Sequence, residues 1–146
     1  MSSGLTIKVI ERSDRIAMEQ AWALRRIVFI EEQDVPEGIE LDDDDAIATH
    51  VLATVGDTPI GCGRMIPHGD QVKIGRMAVL KERRREGIGR QILEYLMNLA
   101  REQGFKHAVL HAQMHAEGFY LKCGYQPKGE IFEEAGIPHR LMDHPL

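Results

Sequence analysis

Residues 83–96 read "RRREGIGRQILEYL": three arginines, two glycines one residue apart, and then an apolar run. Ile88, Ile92, Leu93, Leu96, Leu99 and Ala100 recur at intervals of three and four, which predicts a helix, and Gly104 is placed to end it. Upstream, "VKIGRMAVL" (72–80) reads as a strand running into the arginines. Downstream, "HAVLHAQ" (107–113) reads as a short buried strand. A strand, a helix and a second strand in this order form a unit whose strands are parallel and whose crossover is right-handed. The arginine–glycine stretch is thus the loop that opens the helix of a β–α–β unit.

Such a loop suits phosphate. The first N–H groups of a helix have no intrahelical partners, and the macrodipole adds partial positive charge there. Glycines let the main chain approach a ligand closely, phosphate oxygens fit that position, and nearby arginines add charge-assisted bonds. Two familiar phosphate loops do not fit. A Walker loop needs Gly-Lys-Ser/Thr, whereas Gly89 is followed by Arg90 and Gln91. A dinucleotide fingerprint needs a third glycine where Ile92 stands. On spacing alone, a solvated charge run beside a turn is the rival reading. A nucleic-acid patch is disfavoured by the net charge of −5 and by the lack of aromatics among the arginines.

The rest of the chain extends this frame. "LTIKVIE" (5–11) alternates like a half-buried strand, and Ser13 is placed to cap a helix with apolar positions at Ile16, Ala23, Leu24, Ile27 and Phe29. Pro36 and Gly38 should break that helix. After the acidic run "ELDDDD" (40–45) come strands at "THVLATV" (49–55) and "PIGCGRMI" (59–66). "HAEGFYLKCG" (115–124) makes about two helical turns, and "YQPKGEIF" with "IPHRLMDH" forms a closing hairpin around "EEAG". The expected fold class is α/β (α+β), a mixed sheet with helices packed on it.

The 146 residues are expected to form a single domain, 1–146, with hydrophobic residues at 43% and charged ones at 28%, ordinary for a globular protein. No stretch is long and apolar enough to span a bilayer, and no signal-peptide pattern is present. Cys62 and Cys123 lack metal-ligand spacing and fit free thiols in a cytoplasmic protein. The run Asp42–Asp45 lacks the spaced oxygens and central glycine of a calcium loop and reads as solvated. His111 and His115 need not share a face, so no metal is expected, and Trp22 reads as core filler.

A strand followed by Gln/Arg-x-x-Gly-x-Gly/Ala at a helix start resembles the acetyl-CoA signature of the GNAT N-acetyltransferases, matched here by Arg84, Gly87 and Gly89. The resemblance runs in order over nearly the whole chain. "KIGRMAVL" is similar to that family's fourth strand, "HAVLHAQ" to its fifth, and "AEGFYLKCGYQ" to its short helix. "RRIVFIEEQDVP", "ELDDDDAIATHVLA" and "EAGIPHRLM" are similar to its ElaA/YjcF-type branch.

The resemblance implies a GNAT-type acyl-CoA N-acyltransferase fold: a mixed, mostly antiparallel sheet, splayed between strands four and five, with helices on both faces. It implies an enzyme that uses acetyl-CoA as cosubstrate to acetylate a primary amine by direct attack in a ternary complex. The pantetheine arm would lie along Met77, Ala78 and Val79, and one backbone N–H there would polarise the acetyl carbonyl. The diphosphate would rest on the N–H groups of Arg85, Glu86, Gly87, Ile88, Gly89 and Arg90, with charge from the Arg84 and Arg85 side chains. Gln113 stands nearest the position where the branch carries an asparagine at the short helix. Tyr120 matches the tyrosine that protonates the departing thiolate, a phenol titrating above a thiol.

Two departures leave the base unassigned: Lys73 where some members carry a glutamate, and that missing asparagine. Glu31, Glu32, His111 and His139 are the substrate-side candidates, beside an ordered water. A catalytically silent acyl-CoA sensor of the same fold is the alternative. The acceptor, a small-molecule or peptide amine, is not legible, though Glu31, Glu32, Asp34 and the acidic run lean toward a cationic one. Monomer and homodimer are both open.

Overall fold

In a computed structural model, residues 4–35 and 42–146 are described. Seven strands form one sheet: β1 (Leu5–Val9), β2 (Thr49–Val55), β3 (Thr58–His68), β4 (Gln71–Val79), β5 (His107–Gln113), β6 (Gln126–Glu134) and β7 (Ile137–Pro145). Their spatial order is β1-β2-β3-β4-β5-β7-β6. Every neighbouring pair is antiparallel except β4 and β5, which are parallel as expected for strands joined through a helix. The helices are α1 (Arg15–Arg25), α2 (Ile88–Glu102) and α3 (Glu117–Lys122). Among the described residues no helix is long and apolar enough to cross a membrane.

Strand alternation divides the core between the two sheet faces. On one face Val51, Ala53, Met65, Ile74, Ala108 and Leu110 meet Ile88, Ile92, Leu93, Leu96, Met97 and Ala100 of α2. On the other, Leu52, Cys62 and Ala78 meet Ala17, Ala21, Leu24 and Val28 of the first helix. Gly63 on β3 lets α2 come close: a Cβ there would lie 3.0 Å from Ile92 and 3.1 Å from Leu96. Five of the six positions named for α2 are buried, with Leu99 partly so and Met97 added. Gly104, at φ 88°, ends the helix, its N–H bonded to the Arg101 carbonyl and that of Phe105 to Ala100.

The first helix departs from expectation. Its cap is Asp14 rather than Ser13, with Oδ1 accepting the Ala17 N–H at 3.0 Å. Its buried stripe is Ala17, Ala21, Leu24 and Val28, while Ile16 is 72% exposed and Ala23 and Ile27 also face solvent. The segment is apolar on two sides, and small alanines pack the helix closer to the sheet than Ile16 would. From Arg26 to Glu32 the winding loosens to a π-helix, which rotates the later side chains. Pro36 and Gly38 lie outside the described residues.

Two irregularities open the middle of the sheet. Residues 71–74 of β4 pair with residues 107–110 of β5, and the pairing stops at Ile74 and Leu110. Beyond that point the strands diverge, which is the expected splay. At the same place Arg76 and Met77 stand together opposite Gly63, a bulge with Arg76 at φ 50°.

Candidate active site

The divergence of β4 and β5 forms a cavity of about 840 Å³. Met77 and Val79 line it from one strand, His111 and Gln113 from the other, and Gly87, Ile88, Gly89 and Arg90 close its head. Ala78 points to the opposite face, into the core under α1, as strand alternation requires.

At the head, a short 3-10 turn (Lys81–Arg83) leads from β4 to an extended Arg84 and then to Arg85 at φ 69°. Gly87 is also left-handed, at φ 79°, and forms the cap of α2 with no side-chain acceptor. Its carbonyl takes the first intrahelical bond, from the Gln91 N–H at 3.1 Å. The N–H groups of Ile88, Gly89 and Arg90 therefore have no helical acceptor, and all three residues line the cavity. A left-handed position suits glycine and costs other L-residues about 1–2 kcal/mol.

The arginines divide by partner. Arg84 donates its Nε to the Val79 carbonyl at 2.9 Å and its Nη2 to both oxygens of Glu32 at 3.0 and 2.9 Å. Its side chain ties the loop to the first helical segment instead of standing free beside the cradle. Arg83 lies 3.7 Å from Glu86, and Arg90 pairs with Glu94 at 3.0 Å. Arg85 lines the cavity and has no side-chain partner among the described residues.

Tyr120, on α3, forms part of the wall. Its ring meets Phe119 edge-on at 5.0 Å and Tyr125 at 5.9 Å. Burial, with a smaller contribution from Cys123, pushes its phenol up to about 12, so it keeps its proton at neutral pH. Its hydroxyl has no hydrogen-bond partner among the described residues. Gln113 donates to Gln33 Oε1 at 2.8 Å, joining the end of β5 to the segment after the first helix.

At the other end, His111 Nδ1 lies 2.9 Å from Glu134 Oε1, and His139 Nε2 lies 3.8 Å from Glu134 Oε2. Lys73 stands with them on the wall. Neither Glu31 nor Glu32 lines the cavity: Glu31 is exposed, and Glu32 is held by Arg84. Sequence reasoning missed Glu134. It sits in the hairpin "EEAG", where only the register of β6 on β7 tells which of Glu133 and Glu134 faces inward.

The acidic run is only half solvated: Asp43 and Asp44 are exposed, but Asp42 and Asp45 are bound within the chain. Asp42 accepts both terminal nitrogens of Arg64 at 2.7 and 3.0 Å, and Arg76 Nη2 at 3.0 Å. Asp45 accepts from Arg25 and Arg64, each at 2.8 Å. The bond from Arg64 draws Asp42 down; Asp45 is pushed up by burial but drawn down further by the bonds from Arg25 and Arg64. Trp22, expected as plain core filler, donates its Nε1 to Asp45 at 3.3 Å. The charges of Glu32, Asp42 and Asp45 are therefore answered within the chain, whereas Glu31 is exposed and Asp44, also exposed, lines the cavity, so the lean toward a cationic acceptor rests on fewer residues than the sequence suggests. Among the described residues no group of three or more His, Cys, Asp or Glu could hold a metal ion.

A family model, the acetyltransferase (GNAT) domain, matches residues 27–146. The chain is 40% identical to YyaT of Bacillus subtilis over 128 residues, covering 86% of each, and 34% identical to YjcF of the same organism over 137 residues, covering 93% and 98%. The crystal structure of Escherichia coli ElaA superposes with a TM-score of 0.81 at 27% identity, over 95% of this chain and 98% of that one. A head-of-helix cradle, splayed strands and a tyrosine on the wall are thus found in a chain that belongs to the GNAT acetyltransferase family, in its ElaA/YjcF-like branch.

Proposed function

We propose that this chain transfers an acetyl group from acetyl-CoA to a primary amine, by direct attack in a ternary complex. The observation that carries the reading is the row of partnerless N–H groups at Ile88, Gly89 and Arg90, at the head of a cavity formed where two strands part. These groups would hold the diphosphate, and Arg85, rather than Arg84, would supply the side-chain cation. Past Ile74, β4 has no β5 neighbour, so its main chain would pair with the amide groups of the pantetheine arm along Met77–Val79. The bulge at Arg76 and Met77 takes main-chain groups out of the regular ladder and would supply the N–H that polarises the acetyl carbonyl.

Tyr120, protonated throughout the working range, would give its proton to the departing sulfur. Much of the acceleration would come from holding amine and thioester together. Neither cysteine is placed for a covalent intermediate: Cys62 is buried under α1, and Cys123 does not line the cavity. Two free thiols support a cytoplasmic setting.

The test is incubation with acetyl-CoA and a panel of amines (polyamines, amino sugars, amino acids, peptide termini), following release of free thiol. Amine-dependent release is expected. Tight CoA binding with no release for any amine would make the chain a sensor of the same fold.

A further inference from the structure

Resting on the acetyl-transfer reading, we propose that His111 takes the proton from the attacking amine and that Glu134 fixes its imidazole in the tautomer this requires. Pairing of β5 with β7 sets His111 opposite Leu141 and Gln113 opposite His139, and β6 returns along β7 with Glu134 opposite Ile137. This register brings the Glu134 carboxylate to the open end of β5. Three charged or titratable groups face it: His111 from β5, His139 from β7 and Lys73 from β4. All four residues line the cavity. Phe132 fixes both rings, meeting His111 edge-on at 5.0 Å and stacking on His139 at 6.0 Å.

The tautomer follows from what each partner can do. The hydrogen bond from His111, opposed by burial and aided by the charges of His111, Lys73 and His139, draws Glu134 down to about 2. At any working pH it is an ionised carboxylate, which only accepts. The hydrogen in the 2.9 Å contact therefore sits on His111 Nδ1, and Nε2 is left as the basic nitrogen.

His139 is set differently. Its Nδ1 lies 2.6 Å from the Ile137 carbonyl, its Nε2 faces Glu134, and the residue is 5% exposed. The carbonyl only accepts, so Nδ1 carries the proton; Nε2 makes no hydrogen bond among the described residues, but burial of the residue keeps it from an incoming amine. Of the four candidates, His111 alone combines a place on the cavity wall with a basic atom on an accessible side chain, 27% exposed against 7% for His139. Lys73, while charged, cannot accept a proton.

The step balances. The amine nitrogen forms its bond to the thioester carbon and gives its proton to His111 Nε2. The carbon–sulfur pair leaves with the sulfur, which takes the Tyr120 hydroxyl proton. His111 then loses its proton to water and the tyrosinate regains one, so an amine and a thioester become an amide and a thiol.

The experiment measures kcat, KM for acetyl-CoA and the pH profile of kcat/KM, with the amine that the wild type uses best. His111→Ala should lower kcat by about 10²- to 10⁴-fold, leave KM for acetyl-CoA within a factor of two or so, and be partly rescued by added imidazole. Glu134→Gln keeps the shape but removes the fixed charge, so kcat falls and the acidic limb of the profile moves. Nitrogen-15 NMR of the wild type should show His111 protonated at Nδ1, a readout independent of turnover. A His111→Ala enzyme with the wild-type rate and profile, or an Nε2-protonated His111, overturns the assignment while leaving acetyl transfer intact. Absence of thiol release by the wild type removes both.

Discussion

Gly87 and Gly89 carry the same side chain for different reasons, and replacing each with alanine should move stability in opposite directions. At Gly87 an added Cβ meets nothing within 4 Å, so the whole effect is conformational: φ is 79°, where an L-residue is strained by about 1–2 kcal/mol. If the left-handed turn survives, the folded state is destabilised by that amount, and Tm drops by about 2–6 °C for a chain of this size. If the turn relaxes instead, the N–H groups of Ile88, Gly89 and Arg90 swing away, and coenzyme A must restore them on binding. The same 1–2 kcal/mol then appears as a loss of affinity of about 5- to 30-fold.

At Gly89 the φ is ordinary, and the new methyl would sit 3.9 Å from Val79 and 4.0 Å from Phe119, at normal contact. Alanine in the first turn of α2 should therefore raise stability by up to about 1 kcal/mol. Denaturant unfolding and calorimetry with coenzyme A, run on both variants, read the two effects separately. A Gly87→Ala protein with wild-type stability and wild-type affinity would refute the reasoning, because the turn would then need no left-handed residue.

Other substitutions discriminate among the side chains around the cavity. Arg85→Ala should weaken coenzyme A binding and flatten its salt dependence, whereas Arg84→Ala should chiefly loosen the tie to Glu32, seen as a lower Tm. Tyr120→Phe should lower turnover with little change in coenzyme A affinity. Because its phenol titrates at about 12, the wild type should show no loss of rate from Tyr120 ionisation until the pH approaches that value. For Glu134, the folded value of about 2 lies below the ordinary carboxylate value of 4.5. Its stabilising contribution is complete above about 4.5 and is lost as the pH falls through about 2. The stability gap between wild type and Glu134→Gln should shrink across that window, as followed by urea unfolding.

What could be read in advance divides along physical lines. β2 and β5 run over the same residues as the stretches "THVLATV" and "HAVLHAQ", because both are short apolar runs bounded by polar or turn residues. α2 was legible because one strong apolar stripe and a terminal Gly104 leave no competing phase. The first helix was not, since Ile16, Ile27 and its alanines offer two stripes, and only packing against Leu52 and Cys62 chooses between them.

The glycine turn that opens α2 was legible because backbone geometry is local, and Tyr120 lies on the short helix where the resemblance set it. The partners were hidden. That Arg84 would turn to Glu32, or that Asp42 and Asp45 would be held by Arg25, Arg64 and Arg76, depends on segments brought together by the sheet. Glu134 reaches His111 across 23 residues by way of β7, a contact no local pattern encodes.

A crystal of the protein with acetyl-CoA bound would test the central claim most directly. Diphosphate oxygens should lie within hydrogen-bond distance of the N–H groups of Ile88, Gly89 and Arg90, with the thioester sulfur beside the Tyr120 hydroxyl. A diphosphate held elsewhere, or a sulfur far from Tyr120 in the gap between β4 and β5, would contradict the account.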